Sequence, residues 1–361
     1  MNKLPDLKGF KSIAIIQTAF LGDVALALYL SETIKKFYNE IDLTFVTTPA
    51  AASFVSCAKS IDHVITYDKR GLHSGLHGIK FIAEDLRERN IECIFSPHRS
   101  LRSTLVTYLA KPRYSVGFDK NAMSFLYKKR VKYRRGVHET ERNASLLSAF
   151  NDTKDLQNIN YAVELDIPDD DKTFIENKLS NKGIKESDKI IAVAPGTVWE
   201  TKRWLPEYYG VVINKLSENG YTPILIGSKD DRALAEEISA KIGAVNLSGE
   251  ISLPQLIYFL SLCCLTITND SAPTHFAGLA KCPTLTIFGA TIPEFGFGPR
   301  GIYDRSIGIE GLKCRPCAIH GGRKCPVKNF DCMVKLTPEL VLKDVMDILF
   351  ISGKSIEGHT D

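Results

Sequence analysis

Ser12-Ile13-Ala14-Ile15-Ile16-Gln17 leads into the turn Thr18-Ala19-Phe20-Leu21-Gly22-Asp23. From Val24 to Phe37 apolar residues then recur at helical spacing, before the β-rich run Asp42-Leu43-Thr44-Phe45-Val46-Thr47. Strand, helix and strand in that order make a βαβ unit, whose two strands are parallel. The alternation continues through His63 to Tyr67, a helix near Ile79 to Arg89, Glu92 to Ser96, a helix from Leu101 to Leu109, and Ser115 to Phe118. A polar, punctuated stretch follows between about Asn151 and Ser187, with Pro168 ahead of Asp169, Asp170 and Asp171. A second series then starts: Ile190 to Ala194, a helix after Pro206, Thr222 to Ile226, a helix over Arg232 to Ile242, and Ala244 to Leu247. It goes on with a helix from Pro254, Leu265 to Thr268, a helix over Thr274 to Ala280, and Thr284 to Phe288. A loop-rich stretch from about Ala290 to Lys335 precedes a last helix, Pro338 to Phe350. The fold class is α/β, with two successive doubly wound halves. The expected division is 1–165, 166–335 and a closing helix and tail over 336–361.

Length agrees with that division, since 361 residues are two to three times the usual single domain. A composition of 44% hydrophobic and 24% charged residues excludes global disorder. Forty-six Lys and Arg against 42 Asp and Glu leave a net charge of only +4, so an acidic partner must be met by a local patch. The most apolar run, Leu256 to Thr268, is too short to span a bilayer. Lys3, Lys8 and Lys11 ahead of Ile13 to Ile16 mimic a secretion signal, but Gln17 and Asp23 interrupt it early. Nine cysteines, five of them in apolar segments, suit a reducing compartment, and the expected location is the cytoplasm.

Doubly wound sheets bind ligands at the carboxyl ends of their strands, here toward an expected common cleft, which selects three loops. Thr18 to Asp23 lacks the G-x-G-x-x-G spacing of a dinucleotide site. Asp23 there reads either as a helix N-cap or as a general base that accepts the proton of a hydroxyl nucleophile. In the second loop, Ala194-Pro195-Gly196-Thr197 is followed by Lys202 and Arg203 just before the helix that opens at Pro206. It suits a phosphate, or is a solvated loop anchored by Trp204. The third, Asn269-Asp270-Ser271-Ala272-Pro273-Thr274-His275, opens a helix with small residues where a pyrophosphate can approach backbone amides. Asp270 and Ser271 are also good caps, and His275 a common structural type.

Two further features stand outside these loops. Lys128 to Arg135 holds six cations in eight residues, either a solvated run or a surface for an acidic partner. Cys314, Cys317, Cys325 and Cys332 are separated by two, seven and six residues, a spacing that permits a four-thiolate zinc or iron–sulfur site.

Taken in order along the chain, Ile15 to Asp23, Pro97-His98-Arg99-Ser100-Leu101-Arg102-Ser103, His138-Glu139-Thr140-Glu141-Arg142-Asn143, Ala194 to Thr197 with Lys202-Arg203-Trp204, Ile226-Gly227-Ser228, and Asn269 to His275 resemble the lipopolysaccharide heptosyltransferases of glycosyltransferase family nine. The resemblance runs from about residue 12 to residue 345. It implies a GT-B fold of two Rossmann-like domains facing a central cleft, the first for the acceptor and the second for ADP-heptose. It also implies an inverting, metal-independent displacement with no cofactor beyond the donor. Carried over, Asp23 would be the base, Lys202 with Thr197 would hold the donor phosphates, and Asp270, Ser271, Ala272, Thr274 and His275 would contact the pyrophosphate and sugar. Arg99, Arg102, Lys128, Lys129 and Arg130 would face the acceptor, and the four cysteines would have no part in catalysis. Ala27-Leu28-Tyr29 departs from a Thr-x-Pro pattern frequent in the family, which concerns subgroup.

The expected function is therefore heptose transfer from ADP-heptose to the Kdo and heptose residues of the lipopolysaccharide inner core, in the cytoplasm or peripherally on the inner face of its membrane. The rivals are a family member using another nucleotide sugar or acceptor, and a non-catalytic binder of acidic lipid or nucleic acid. Nucleic acid is not the expected partner, because only Tyr133 interleaves the basic run with an aromatic ring.

Overall fold

The computed structural model describes residues 4–153 and 162–354. The chain divides into two compact units, one up to Asp166 and one from Ile167 onward. Part of the punctuated stretch between them, 154–161, lies outside the described residues, as do Lys3 and the tail 355–361.

In the first unit β1 (Ser12–Ile16), β2 (Asp42–Thr47), β3 (His63–Thr66), β4 (Cys93–Ser96), β5 (Tyr114–Phe118) and β6 (Lys129–Val131) form one sheet in the order β3-β2-β1-β4-β5-β6. Every pairing in it is parallel. Ile13, Ala14, Ile15 and Ile16 are all fully buried, as a central strand covered on both faces requires. The helices that cover it are α1 (Leu21–Phe37), α2 (Pro49–Val55), α3 (Gly75–Glu88), α4 (Leu101–Ala110) and α5 (Glu139–Ala144). α3 and α4 close one face by burying Ile79, Ile82, Leu86 and Val106 against Ile16, Val46 and Ile94. Each such side chain contributes roughly 1.5–3 kcal/mol by leaving water.

The second unit opens with α6 (Asp169–Asn181). It repeats the plan with β7 (Ile190–Ala194), β8 (Thr222–Leu225), β9 (Val245–Asn246), β10 (Leu265–Asn269), β11 (Thr284–Ile287) and β12 (Arg305–Ile307), in the order β12-β11-β10-β7-β8-β9 and again all parallel. Its remaining helices are α7 (Pro206–Glu218), α8 (Arg232–Ile242), α9 (Leu253–Ser261), α10 (Ala272–Leu279), α11 (Asp331–Val334) and α12 (Pro338–Ile351). Val341, Val345, Ile348 and Leu349 of α12 belong to the same buried cluster as Trp204 and the strand residues Ile191, Leu265, Ile267 and Leu285. The closing helix is therefore part of this unit's core and not a separate appendage.

Sequence periodicity misses the short elements. Lys129–Val131, inside the basic run, is the edge strand β6, and Arg305–Ile307, inside the loop-rich stretch, is the edge strand β12. Edge strands of three residues that carry charges show no alternation to read.

Candidate functional site

Each unit carries its own candidate site residues on the loops that leave the carboxyl ends of its strands. In the first unit, Phe20 occupies the cap position of α1 in extended conformation, so Asp23 is not the N-cap. It lies in the first helical turn, half-buried, where the unpaired N–H groups favour a carboxylate. Near it stands Glu139 at the start of α5, buried and ion-paired with the equally buried Arg142. Burial pushes the Glu139 carboxyl up to about 7, Arg142 opposes the rise, and the negative charge of Asp23 adds to it. Arg142 is fixed by donating to the carbonyls of Arg134 (2.7 Å) and Val137 (2.8 Å).

Beside this pair, the loop after β4 places His98 among hydroxyls: its Nδ1 is 3.1 Å from Thr18 Oγ1 and 3.0 Å from Ser103 Oγ. Burial, with the cations Lys69 and Arg99, lowers His98 to about 4, so the ring is neutral near pH 7. Lys69, from the loop after β3, donates to the Thr18 carbonyl, and burial together with the charges of Arg102 and Arg70 lowers its pKa. The Arg99 guanidinium lies 4.4 Å from the centre of the Tyr133 ring. None of Lys69, Arg70, Arg99 and Arg102 forms an ion pair among the described residues. The Tyr67 hydroxyl, 1% exposed and within the field of Arg102, has no hydrogen-bond partner there. These cations without ion pairs, three of them exposed, and the unpartnered Tyr67 hydroxyl make this end of the sheet a candidate anion site.

The expected acceptor residues do not all join it. Arg99 and Arg102 follow β4 at the carboxyl end of the sheet, whereas Lys128 precedes β6 and bonds the carbonyls of Pro112 (2.9 Å) and Arg113 (2.8 Å) where β5 begins. In a parallel sheet that is the opposite end. Lys129 and Arg130 lie within the edge strand β6 itself. Lys69, Arg70 and His98 are not among the site residues expected from the sequence, although Lys69-Arg70-Gly71 directly after a strand is a readable signal.

In the second unit the Lys202 ammonium is 2.6 Å from Asp270 Oδ2, and Thr291 Oγ1 donates to the same oxygen at 2.6 Å. Both side chains of the ion pair are nearly buried, at 12% and 8% exposure, so water screens the pair little. Asn269 ties the loops together: its Oδ1 accepts from the Trp204 amide (3.0 Å) and its Nδ2 donates to the Pro195 carbonyl (2.8 Å). Trp204 is fully buried and donates Nε1–H to the Leu336 carbonyl at 2.8 Å. The solvated-loop reading therefore does not describe Lys202. Thr197 is buried, accepting weakly from the Trp199 amide (3.5 Å), and its carbonyl receives the Arg203 guanidinium at 3.0 Å. Gly196 abuts Asp231, where a Cβ would come within 2.1 Å of the carboxylate, so the backbone there stays open only without a side chain.

Ser271 is the cap residue of α10 without a side-chain cap bond, and Ala272 opens the helix, leaving this end accessible to an anion. Thr274 is turned inward, its hydroxyl donating to the Asn269 carbonyl (3.3 Å) and pairing with Thr286 Oγ1 (3.1 Å). His275 is buried, and burial with the Lys202 charge lowers it to about 4.

The cysteine-bearing stretch braces the Lys202 loop from behind. The Thr201 amide donates to the Gly322 carbonyl (3.0 Å), the Gly322 amide to Thr201 Oγ1 (2.7 Å), and the Cys317 amide to the Ala290 carbonyl (2.8 Å). Cys314, Cys317, Cys325 and Cys332 form no disulfide in the structure. Burial raises the Cys325 thiol, but the amides of Phe330, Val327, Lys328 and Asn329 outweigh it and hold it below the ordinary value. Cys332 is pushed up to about 11 by burial. Among the described residues no three His, Cys, Asp or Glu side chains are grouped so as to hold a metal ion.

Residues 80–330 match the model of glycosyltransferase family 9 (heptosyltransferase), more than half of the chain. The chain belongs to glycosyltransferase family 9. Among its relatives, lipooligosaccharide heptosyltransferase 2 of Campylobacter jejuni is 25% identical over 341 residues, covering 91% of this chain and 96% of that protein. The family 9 glycosyltransferase structure from Veillonella parvula superimposes with a TM-score of 0.86 at 19% identity, covering 97% of this chain and 100% of that one. The Escherichia coli ADP-heptose lipopolysaccharide heptosyltransferase II does so with a TM-score of 0.77 at 20% identity, covering 95% and 99%. The fold is the GT-B fold of family 9.

Proposed function

We propose that this family 9 glycosyltransferase moves heptose from ADP-heptose onto the inner core of lipopolysaccharide with inversion at the sugar carbon. In the step, an acceptor hydroxyl oxygen bonds to C1 of the heptose, the bond from C1 to the phosphate oxygen breaks, and its electron pair leaves with ADP. Asp23 takes the hydroxyl proton, a role that suits a half-buried carboxylate in the first turn of a helix. Lys202 and the N-terminal end of α10 offer positive charge to the diphosphate as it departs, with Thr197, Asp270, Ser271 and Ala272 lining the same place. With those groups present, the displacement needs no metal. Thr274 and His275 act behind them as packing, since both are buried.

The observation that carries this reading is the buried Lys202–Asp270–Thr291 cluster beside the open end of α10, in a chain whose match to the family covers both. A phosphate arriving there meets an ammonium already desolvated and aimed. The acceptor is assigned to the first unit, where Lys69, Arg70, Arg99 and Arg102 suit the carboxylates and phosphates of an acidic glycolipid. No described helix is long and apolar enough to cross a membrane, and a lipid acceptor would bring the protein to the inner face of the cytoplasmic membrane as a peripheral enzyme.

Mass spectrometry of products from ADP-heptose and a panel of truncated lipid acceptors tests the proposal. A product one heptose heavier, formed with ADP-heptose and not with UDP- or GDP-sugars, is the expected result. A product only with another nucleotide sugar would replace the donor assignment, and none with any donor would replace catalysis by binding.

A further inference from the structure

The loop after β3 is built rigidly around one carboxylate. Asp68 accepts from the amides of Gly71 (2.9 Å) and Leu72 (3.1 Å), its carbonyl accepts from the His73 amide (2.9 Å), and its own amide donates to His73 Nδ1 (3.1 Å). The next turn is closed so tightly that a Cβ on Gly78 would lie 1.9 Å from the His73 carbonyl oxygen. What this fixed turn presents to solvent is apolar: Leu72 is 85% exposed and Leu76, at the start of α3, is 73% exposed. Neither belongs to the core face of α3, which is made by Ile79, Ile82, Ala83 and Leu86. Phe81 continues the outward face, stacked on His73 with ring centres 4.8 Å apart. Around these side chains stand Lys69, Arg70, His77 and Lys80, while Asp68 is occupied by the backbone.

A turn that holds two leucines out in water, with cations on either side, has no reason in folding, because both would be better hidden. We propose that this turn is a membrane-docking surface: Leu72 and Leu76 enter the interface of an anionic bilayer while the exposed Arg70 and Lys80 meet its headgroups. The pattern is that of a peripheral anchor, in which a small apolar insertion adds to electrostatic attraction. Lys69 also reaches the Thr18 carbonyl, so the docking turn adjoins the anion site assigned to the acceptor. The inference rests on the reading that the acceptor is a membrane lipid.

Flotation of the full chain with vesicles of phosphatidylethanolamine and phosphatidylglycerol, without donor or lipopolysaccharide, tests docking apart from sugar transfer. Wild type is expected to float with these vesicles, less so at high salt and not with phosphatidylcholine alone. The double variant Leu72→Ser/Leu76→Ser is expected to bind at least tenfold more weakly while its ADP affinity and its turnover on a delipidated, water-soluble core acceptor stay unchanged. In Leu72→Trp, brominated lipids are expected to quench fluorescence that they leave untouched in wild type. Undiminished flotation of the double variant, no flotation of wild type, or no added quenching would overturn the proposal. Loss of turnover on the soluble acceptor would also overturn it, by making the turn part of the acceptor site.

Discussion

The two units share one topology, with the same strand order and all strands parallel, yet they handle positive charge at the carboxyl ends of their sheets in opposite ways. In the second unit Lys202 is nearly buried and matched by Asp270, which Thr291 holds in turn. In the first, Lys69, Arg70, Arg99 and Arg102 are clustered without an ion pair among the described residues. A matched buried cation is fixed in direction and waits for a ligand to enter its network. A group of unmatched cations, three of them exposed, stays hydrated and open to an anion of variable shape. The difference fits a site for one defined diphosphate in the second unit and a site for a bulky polyanion in the first.

The sharpest way to separate the units is to disable one and measure the other. Asp23→Asn should lower turnover by about 10² to 10⁴, the usual effect of losing a general base, with ADP affinity measured by calorimetry unchanged. Near wild-type turnover would remove Asp23 as the base.

Lys202→Ala should act on both quantities, since the ammonium binds phosphate and stabilises the charge that grows as ADP leaves. Loss of one such group costs about 10² to 10³ in rate. ADP binding should weaken about tenfold, roughly 1.4 kcal/mol. Unchanged ADP affinity would mean that Lys202 serves only to neutralise Asp270.

Histidine gives the two units a common test. His98 and His275 are each lowered to about 4, His98 by burial, Lys69 and Arg99, and His275 by burial and Lys202. Below about pH 6.5 the unfolded chain takes up protons at these positions that the folded chain refuses. Stability is therefore lost as pH falls from about 6.5 to about 4, by on the order of 1 to 3 kcal/mol per histidine. His275→Gln and His98→Gln should each flatten that part of the pH dependence of urea unfolding, and an unaltered slope would mean that neither ring is buried neutral.

How much of this is legible in the sequence differs between strands and site. β1, β2, β7 and β10 lie within a residue of the apolar runs that predict them, because central parallel strands are buried on both faces and read as continuous apolar segments. The three loops follow from strand ends alone. Partners do not: nothing local in Asp270 announces Lys202, 68 residues earlier, and nothing in Glu139 announces its proximity to Asp23. The basic run misleads most, because six cations in eight residues look like one surface. The edge strand β6 passes through the run, leaving Lys128 at one end of the sheet and Lys132, Arg134 and Arg135 beyond the other.

That split supplies the smallest effect expected. A cation near an anionic glycolipid contributes on the order of 1 kcal/mol, screened by salt. Arg102→Ala and Arg70→Ala, at the carboxyl end of the first sheet, should each raise the acceptor KM several-fold at low salt and less at high salt, with the KM for ADP-heptose unchanged. Lys128→Ala should leave both KM values alone, because its ammonium serves the carbonyls of Pro112 and Arg113, and should cost instead a little stability through the lost hydrogen bonds. The two results together decide the matter. If Lys128→Ala raised the acceptor KM as much as Arg102→Ala, the polyanion would have to span the length of the sheet, and the compact anion site around Tyr67 and His98 would no longer account for acceptor binding.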